Sequence, residues 1–435
     1  MKKMILVAAL VATGCAARVR MPPEVVERHR QEISALTLEG KTREAWEAYL
    51  DLVNTSGVPQ YPDVLLEIAT AILKQGAEAP KPAVRRQAVE ALPYAADDFA
   101  FDVAAGRLTD DDLAVRAAAV DVLRKLGRPK AIELIRPQLK RPPAEERGVF
   151  LTEKLLAREN LRMHAFLAVA ALGDKSLPVA PGVRGMSSPD SDIRAVAARV
   201  LGEVGKPEAL PSLRYGMEED IEWHVNTASA EALLKLGRRR IVNRFAEEAS
   251  GSEYAEKLLW AINMRRYHDL GPSTDWILNQ GTYNGSAAVR ARSAAFLGEM
   301  GVTEAKLRLT EMLDHFETIV EIAAAYALAM LRNRSKIDVI VEATGSQDPE
   351  ARAKAVEYLA VLTGARYVDI FRRLQEDPEP HVRLAAILVF RPEPPGALAD
   401  LAFRYLAWPL GDEDDKVRFT AAALIRSAWR TDTGE

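Results

Sequence analysis

DLAVRAAAVDVLRKLG (112–127) is organised around one arginine. After Arg116, small or apolar residues stand at +3, +4, +7 and +10, and Gly127 closes the stretch at +11. Those spacings put the apolar side chains on one face of an α-helix. The frame recurs in SDIRAVAARVLGEVG (191–205) around Arg194 and in AAVRARSAAFLGEMG (287–301) around Arg290. It also fits NLRMHAFLAVAALG (160–173) around Arg162 and EARAKAVEYLAVLTG (350–364) around Arg352. Asn226 and Glu321 hold the arginine position in two further copies, shorter matches start at Arg85, Arg383 and Arg418, and a degenerate copy centres on Leu258. Most intervals are 31 or 32 residues. A fixed period of this length means stacked helical hairpins, because no single hairpin can bury its own apolar face. The predicted fold is all-α: an α-solenoid, or superhelix, of about ten hairpins.

Local chemistry agrees with that frame. Asp112, Asp190, Asp348, Glu379 and Asp414 stand four residues before the key position, where a carboxylate can cap the first helix. Pro349 follows Asp348 at the favoured first helical position. Gly127, Gly173, Gly205, Gly237 and Gly301 fall where a left-handed residue ends that helix. A second helix follows, as in PEALPSLRYGM (207–217) and TEAKLRLTEML (303–313).

The pattern resembles the HEAT repeat, in the short bacterial form known as the phycobilin-lyase-type HEAT-like repeat. The resemblance covers roughly residues 81–430. It implies that the recurring acid and arginine, here Asp112, Arg116, Asp190, Arg194, Asp348 and Arg352, serve in capping and inter-repeat contacts rather than acid–base chemistry. It also implies that the second helices line the concave face.

Residues 24–80 precede the repeats. LTLEGKTREAWEAYLDLV (36–53) resembles one tetratricopeptide hairpin, with Gly40 at the turn and Ala45, Tyr49 and Leu52 on one face; a generic helical hairpin fits equally. The chain begins MKKMILVAALVATGCAARVR (1–20), with Lys2 and Lys3 ahead of a nine-residue apolar run, Met4 to Ala12. The run is far below the roughly 20 residues that span a bilayer, and it fits the apolar core of a secretory signal. Its end, Val11-Ala12-Thr13-Gly14-Cys15, resembles the lipobox of bacterial lipoproteins. The resemblance implies a signal peptide over 1–14, lipid attachment at Cys15, and a lipidated tether over 15–23. With Ala16 after the cysteine, it points to the outer membrane of a Gram-negative cell, facing the periplasm. Cys15 is the only cysteine among 435 residues, so no internal disulfide framework is possible.

A formal charge of -4 and a pI near 6.0 supply no basic field for nucleic acid. The six histidines are scattered without metal-ligand spacing, and no nucleophile elbow, Walker loop or dinucleotide fingerprint occurs. No catalytic residue, metal or cofactor is therefore expected. Two segments break the repeat: 141–160, with about fifteen extra residues, and 251–286, where Tyr254, Trp260, Tyr267, Trp276 and Tyr283 gather in a chain only 6% aromatic. In the second, Arg265 and His268 occupy slots that are apolar elsewhere. Trp, Tyr and Arg dominate binding hot spots. Trp260, Arg265, Arg266, Tyr267, His268 and Trp276 thus form a candidate partner site, against the alternative that the aromatics pack inward. Arg136, Arg214 and Arg372 each lie 20 residues after their key position and are candidates for an anion-binding stripe. The function expected is a lipid-anchored scaffold or assembly factor holding another envelope protein in its groove; the alternative is a small-ligand-binding or lyase-like accessory protein.

Overall fold

A computed structural model describes residues 21–58, 60–140, 152–391 and 399–433. Cys15, the signal segment and most of the tether lie outside them, as do residues 141–151 of the first repeat break. Among the described residues all regular structure is helical. Three helices come first: α1 (Pro23–Leu38), α2 (Thr42–Ser56) and α3 (Pro62–Ala77). The repeats follow, a first helix alternating with a shorter second one. They run α4 (Pro82–Ala95) and α5 (Asp98–Gly106), α6 (Leu113–Leu126) and α7 (Ala131–Ile135), α8 (Glu153–Ala171) and α9 (Ala180–Gly185). Next stand α10 (Ser191–Val204) and α11 (Leu210–Glu218), α12 (Trp223–Lys235) and α13 (Arg239–Ala249), α14 (Ala255–His268) and α15 (Thr274–Asn279). Then come α16 (Ala287–Glu299) and α17 (Lys306–Glu311), α18 (Thr318–Met330) and α19 (Ile337–Ala343), α20 (Pro349–Thr363) and α21 (Val368–Leu374). The series ends with α22 (Pro380–Leu388), α23 (Ala399–Tyr405) and α24 (Asp415–Thr433).

Four of the five expected caps form, while Glu379 stands at the N-cap of α22 without a side-chain cap bond. Asp112 accepts from the backbone N–H groups of Ala114 and Val115, Asp190 from Ile193, Asp348 from Glu350 and Asp414 from Val417. Gly127, Gly205, Gly237 and Gly301 all take φ between +69° and +75°, the left-handed conformation that ends the helix. Several key arginines tie a repeat to the next, whereas Arg116 donates back to the Asp110 carbonyl and Arg162 pairs with Glu159 of its own helix. Arg194 holds Asp220 at 2.7 and 2.9 Å and also donates to the carbonyls of Ser188 and Pro189. Arg85–Asp110, Arg352–Asp377 and Arg383–Asp412 repeat that arrangement. Asn226, lacking a charge, substitutes by donating to three carbonyls, those of Gly216, Met217 and Asp220. The acidic run 412–415 is used up in the same way: Asp412 binds Arg383, Asp414 caps, and Asp415 pairs with Arg418.

The stack of repeats closes on itself. Each first helix packs along the next, from α4 to α24, and α24 then packs along α4 and α3. The closing contacts are specific. Arg426 of α24 donates to Asp97 at 2.9 and 2.6 Å, also reaches Thr70, and lies 4.1 Å from the Phe99 ring centroid. Arg430 donates to the Ala96 carbonyl at 2.6 Å. Phe419 fits against Gly76, where a Cβ would lie 2.3 Å from a carbon of its ring. Trp46 fits against Gly411 in the same fashion and donates to the Ala407 carbonyl at 2.7 Å. Two glycines thus receive two aromatics across a seam between chain segments more than three hundred residues apart.

Closure decides which layer is inside. In two concentric rings the inner one is shorter, so its members touch. First helices touch throughout, with Gly202 against Ala232 and Gly298 against Ala327, whereas no second helix packs along its neighbour. The first helices therefore line the opening and the second helices form the outer surface, the reverse of the expectation from the repeat resemblance. Eleven helices spaced 8–10 Å apart lie on a circle about 16 Å in radius, which leaves an opening about 20 Å across once a helix radius of 5–6 Å is removed.

Candidate functional site

On the outside of the seam, α2 faces α21 and α23 across a cavity of about 650 Å³. Its floor is apolar: Tyr49 is 1% exposed and Phe403 is fully packed. Burial pushes the Tyr49 phenol up to about 12, so it stays neutral, and its oxygen accepts from the backbone N–H of Tyr61 at 3.3 Å. At the mouth Trp408 is 48% exposed and stands edge-on to Trp46, with ring centroids 6.0 Å apart. Tyr405, beneath the Arg404 guanidinium at 5.7 Å, completes the aromatic wall.

The polar groups come from α21 and α23. Asp369 and Arg372 share one face of α21 at helical spacing, and Glu376, two residues past its end, joins them in the lining. Among the described residues no carboxylate lies within ion-pairing distance of Arg372 or Arg404. Gln375, also in the lining, is 4% exposed, and its Nε2 has no hydrogen-bond partner. A buried amide N–H left unsatisfied costs free energy; a ligand acceptor would remove that cost. The cavity can thus hold a flat apolar body while two arginines bind anionic groups and two carboxylates accept N–H donors. Its size is in the usual range for small-molecule sites.

The candidate residues from the sequence separate into three groups. Arg372 lines this cavity. Its two proposed companions do not converge on it: Arg136 is shared between Glu133 and Asp174 at 3.2 and 3.3 Å, and Arg214 is held by both oxygens of Glu218 at 3.0 Å. With second helices outside the ring, these three arginines sit on separate parts of the outer surface and form no stripe. Trp260 is core, not an exposed anchor: it is 5% exposed and packs on Phe245 and Trp223, with centroids 5.3 and 6.4 Å away. Trp276 packs against the neighbouring apolar cluster around Ile277 and Leu309. Arg265 keeps 29% of its side chain exposed and pairs with Asp269 at 3.1 Å, and His268 is half-buried in the last turn of α14. Trp260 packs inward because it fills the space between α14 and the preceding α12 and α13. Arg266 and Tyr267, by contrast, lie on the inner face of the ring, with Tyr267 64% exposed.

Trp408, Tyr405 and Arg404 had no signal in the sequence: they lie outside the repeat frame, and the α2 wall comes from another region of the chain. Among the described residues no group of His, Cys, Asp and Glu is arranged to hold a metal ion.

Residues 70–152 and 181–249 match the family of HEAT repeats. Over 154 residues, 35% of this chain, the sequence is 26% identical to the bilin biosynthesis protein PecE of Mastigocladus laminosus, and the match spans 56% of that protein's length. Kap121p bound to RanGTP is similar over 84% of this chain and 45% of its own, with 15% identity and a TM-score of 0.32. The complex of CpcE and CpcF of phycocyanin lyase from Nostoc sp. is similar over 74% of this chain and 93% of its own, with 16% identity and a TM-score of 0.22. The architecture is an all-α solenoid of HEAT-like repeats.

Proposed function

We propose that this protein is a small-ligand-binding accessory protein, and that the seam cavity is its ligand site. The observation that carries this reading is the pair Arg372 and Arg404, neither with a carboxylate partner among the described residues, in one lining with Tyr405 and Trp408. The ligand class proposed is an elongated conjugated acid of the bilin type. A bilin presents carboxylates to the arginines, pyrrole N–H groups to Asp369 and Glu376, and a flat ring system to the tryptophan. The sequence likeness to a bilin biosynthesis protein supports that choice, although it covers only part of either chain. The role proposed is accessory, with the neutral Tyr49 phenol at the cavity floor. A protein partner engaged through the repeats is the second part of the reading, supported by the HEAT-repeat match and by the exposed Arg266–Tyr267 pair on the inner face. We propose also that Cys15 is acylated and holds the protein at the outer membrane beside an envelope partner; fatty-acid labelling of Cys15→Ser against the parent protein tests this.

Titrating biliverdin into the purified protein, read by visible absorption and tryptophan fluorescence, tests the ligand site. Arg372→Gln and Trp408→Ala should each weaken binding about tenfold, or 1.4 kcal/mol. Arg136→Gln and Arg214→Gln should leave it unchanged. No binding, or binding equally sensitive to all four changes, would remove the cavity from consideration.

A further inference from the structure

Four neighbouring first helices bring a second polar cluster to the inner face of the ring. The residues concerned stand at, or next to, positions two, five and nine after the key residue, in line with the position two before it; at the same positions Trp260, Ala295 and Ala323 are buried. To the cluster α14 contributes Asn263, Arg266 and Tyr267, α16 contributes Arg292 and Glu299, α18 contributes Tyr326, and α20 contributes Lys354 and Tyr358. Elsewhere charges on this line pair across repeats, as in His224 with Asp192 and His381 with Glu350. Here the pairing is incomplete.

Glu299 is only 14% exposed and is taken by Arg266, through Nη2 at 2.9 Å and Nε at 2.8 Å. Lys354 and Glu357 neutralise each other at 2.5 Å. Arg292 is left over. Its side chain is 18% exposed, its Nε donates to Asn263 Oδ1 at 2.8 Å, and its Nη1 is 3.8 Å from Glu299, beyond hydrogen-bonding distance. Its Nη2 has no partner. Burial, and after it the Arg266 cation, push the Arg292 pKa down, yet an arginine does not deprotonate at neutral pH. A largely buried cation that has to share the single carboxylate of Glu299 with Arg266 is costly to keep. Tyr326 and Tyr358 stack at 4.1 Å beside it, and burial raises both phenols, which stay protonated and able to donate. The surplus is thus one positive charge, with an unused guanidinium N–H and a phenol donor around it.

We infer that this cluster is a binding site for a small oxyanion, a carboxylate or phosphate group presented to Arg292 from the ring opening. The anion supplies the missing counter-charge, accepts from Arg292 and Tyr358, and leaves the Arg266–Glu299 pair intact. The site is separate from the seam cavity and does not depend on it.

The test is calorimetric titration and thermal melting of the full chain with sodium phosphate and with sodium acetate, ionic strength held constant with sodium chloride. At least one anion should bind in the millimolar range and raise the melting temperature. Arg292→Met should melt higher than the parent without anion, since it removes the surplus charge, and should lose affinity about tenfold or more. Tyr358→Phe should weaken binding several-fold, which keeps the test open if Arg292→Met folds poorly. Arg136→Gln, at a paired arginine of the outer surface, should bind the anion normally. A response to phosphate alone assigns a phosphorylated ligand, and a response to acetate assigns a carboxylate. If neither anion acts beyond chloride at tens of millimolar, or if Arg292→Met and Tyr358→Phe respond as the parent does, the inference is wrong.

Discussion

Adding one methyl group should change stability in opposite directions at two glycines, and the difference tests ring closure. Gly106 ends α5 with helical dihedrals, φ -62° and ψ -26°, and nothing lies near the Cβ it would gain. Gly106→Ala should therefore stabilise by up to about 1 kcal/mol, the usual helical preference of alanine over glycine. Gly76 sits in the last turn of α3, where the same preference applies. Its Cβ, however, would lie 2.3 Å from the Phe419 ring of α24 and 2.9 Å from Ala88 of α4. Overpacking of this kind costs roughly 1–3 kcal/mol, and a ring pinned between two helices cannot swing away freely. The balance for Gly76→Ala is a loss of about 1–2 kcal/mol, the overpacking cost less the propensity gain. Urea unfolding with both variants measures this through the midpoint, provided the slope is unchanged. If Gly76→Ala raises the midpoint as Gly106→Ala does, Phe419 is not seated there and the ring is open.

Trp260→Ala should destabilise by about 3–5 kcal/mol, as expected for a buried indole, and leave ligand binding by the remaining folded protein unchanged; parallel melting and titration check both. Asp377 predicts an acid limb. Burial opposes its ionisation, but the Arg352 guanidinium outweighs that and holds the carboxyl below the ordinary value of 3.8. A lowered native pKa means the stabilisation is complete above that value and lost as pH falls through the native one. Asp377→Asn should therefore be less stable at pH 7, with a shallower loss of melting temperature below about pH 4.

Helix boundaries were readable because their signals are local. Asp112 and Asp190 bond within three residues of themselves, and Gly127 and Gly205 act at their own φ. The repeat period likewise required only neighbours to pack, so the solenoid was legible from the arginine frame. Curvature was not. Which layer lies inside depends on how closely Gly202 approaches Ala232 and Gly298 approaches Ala327, a distance that no spacing in the sequence encodes. The seam was invisible for a different reason: Gly76 and Gly411 look like ordinary glycines until Phe419 and Trp46 arrive from the far end of the chain. Since the cavity exists only where those ends meet, Arg372 was found without its setting. The aromatic cluster of 251–286 misled in part because composition cannot separate a buried indole such as Trp260 from an exposed phenol such as Tyr267.

Seating α24 against α3 and α4 also sets an order of events during synthesis. At about 5–20 residues per second, the ribosome needs between roughly 15 s and a minute to travel from the end of α4 to the start of α24. Throughout that interval the edge awaiting Phe419 and Arg426 has no cover, while every repeat between them can already stack on its predecessor. A nascent ring is therefore an open strip with one sticky margin, and its own last helix competes for that margin with the last helix of a neighbouring chain. In a crowded polysome the outcome of losing that competition is a pair of strips joined tail to head, an exchange of α24 between two copies.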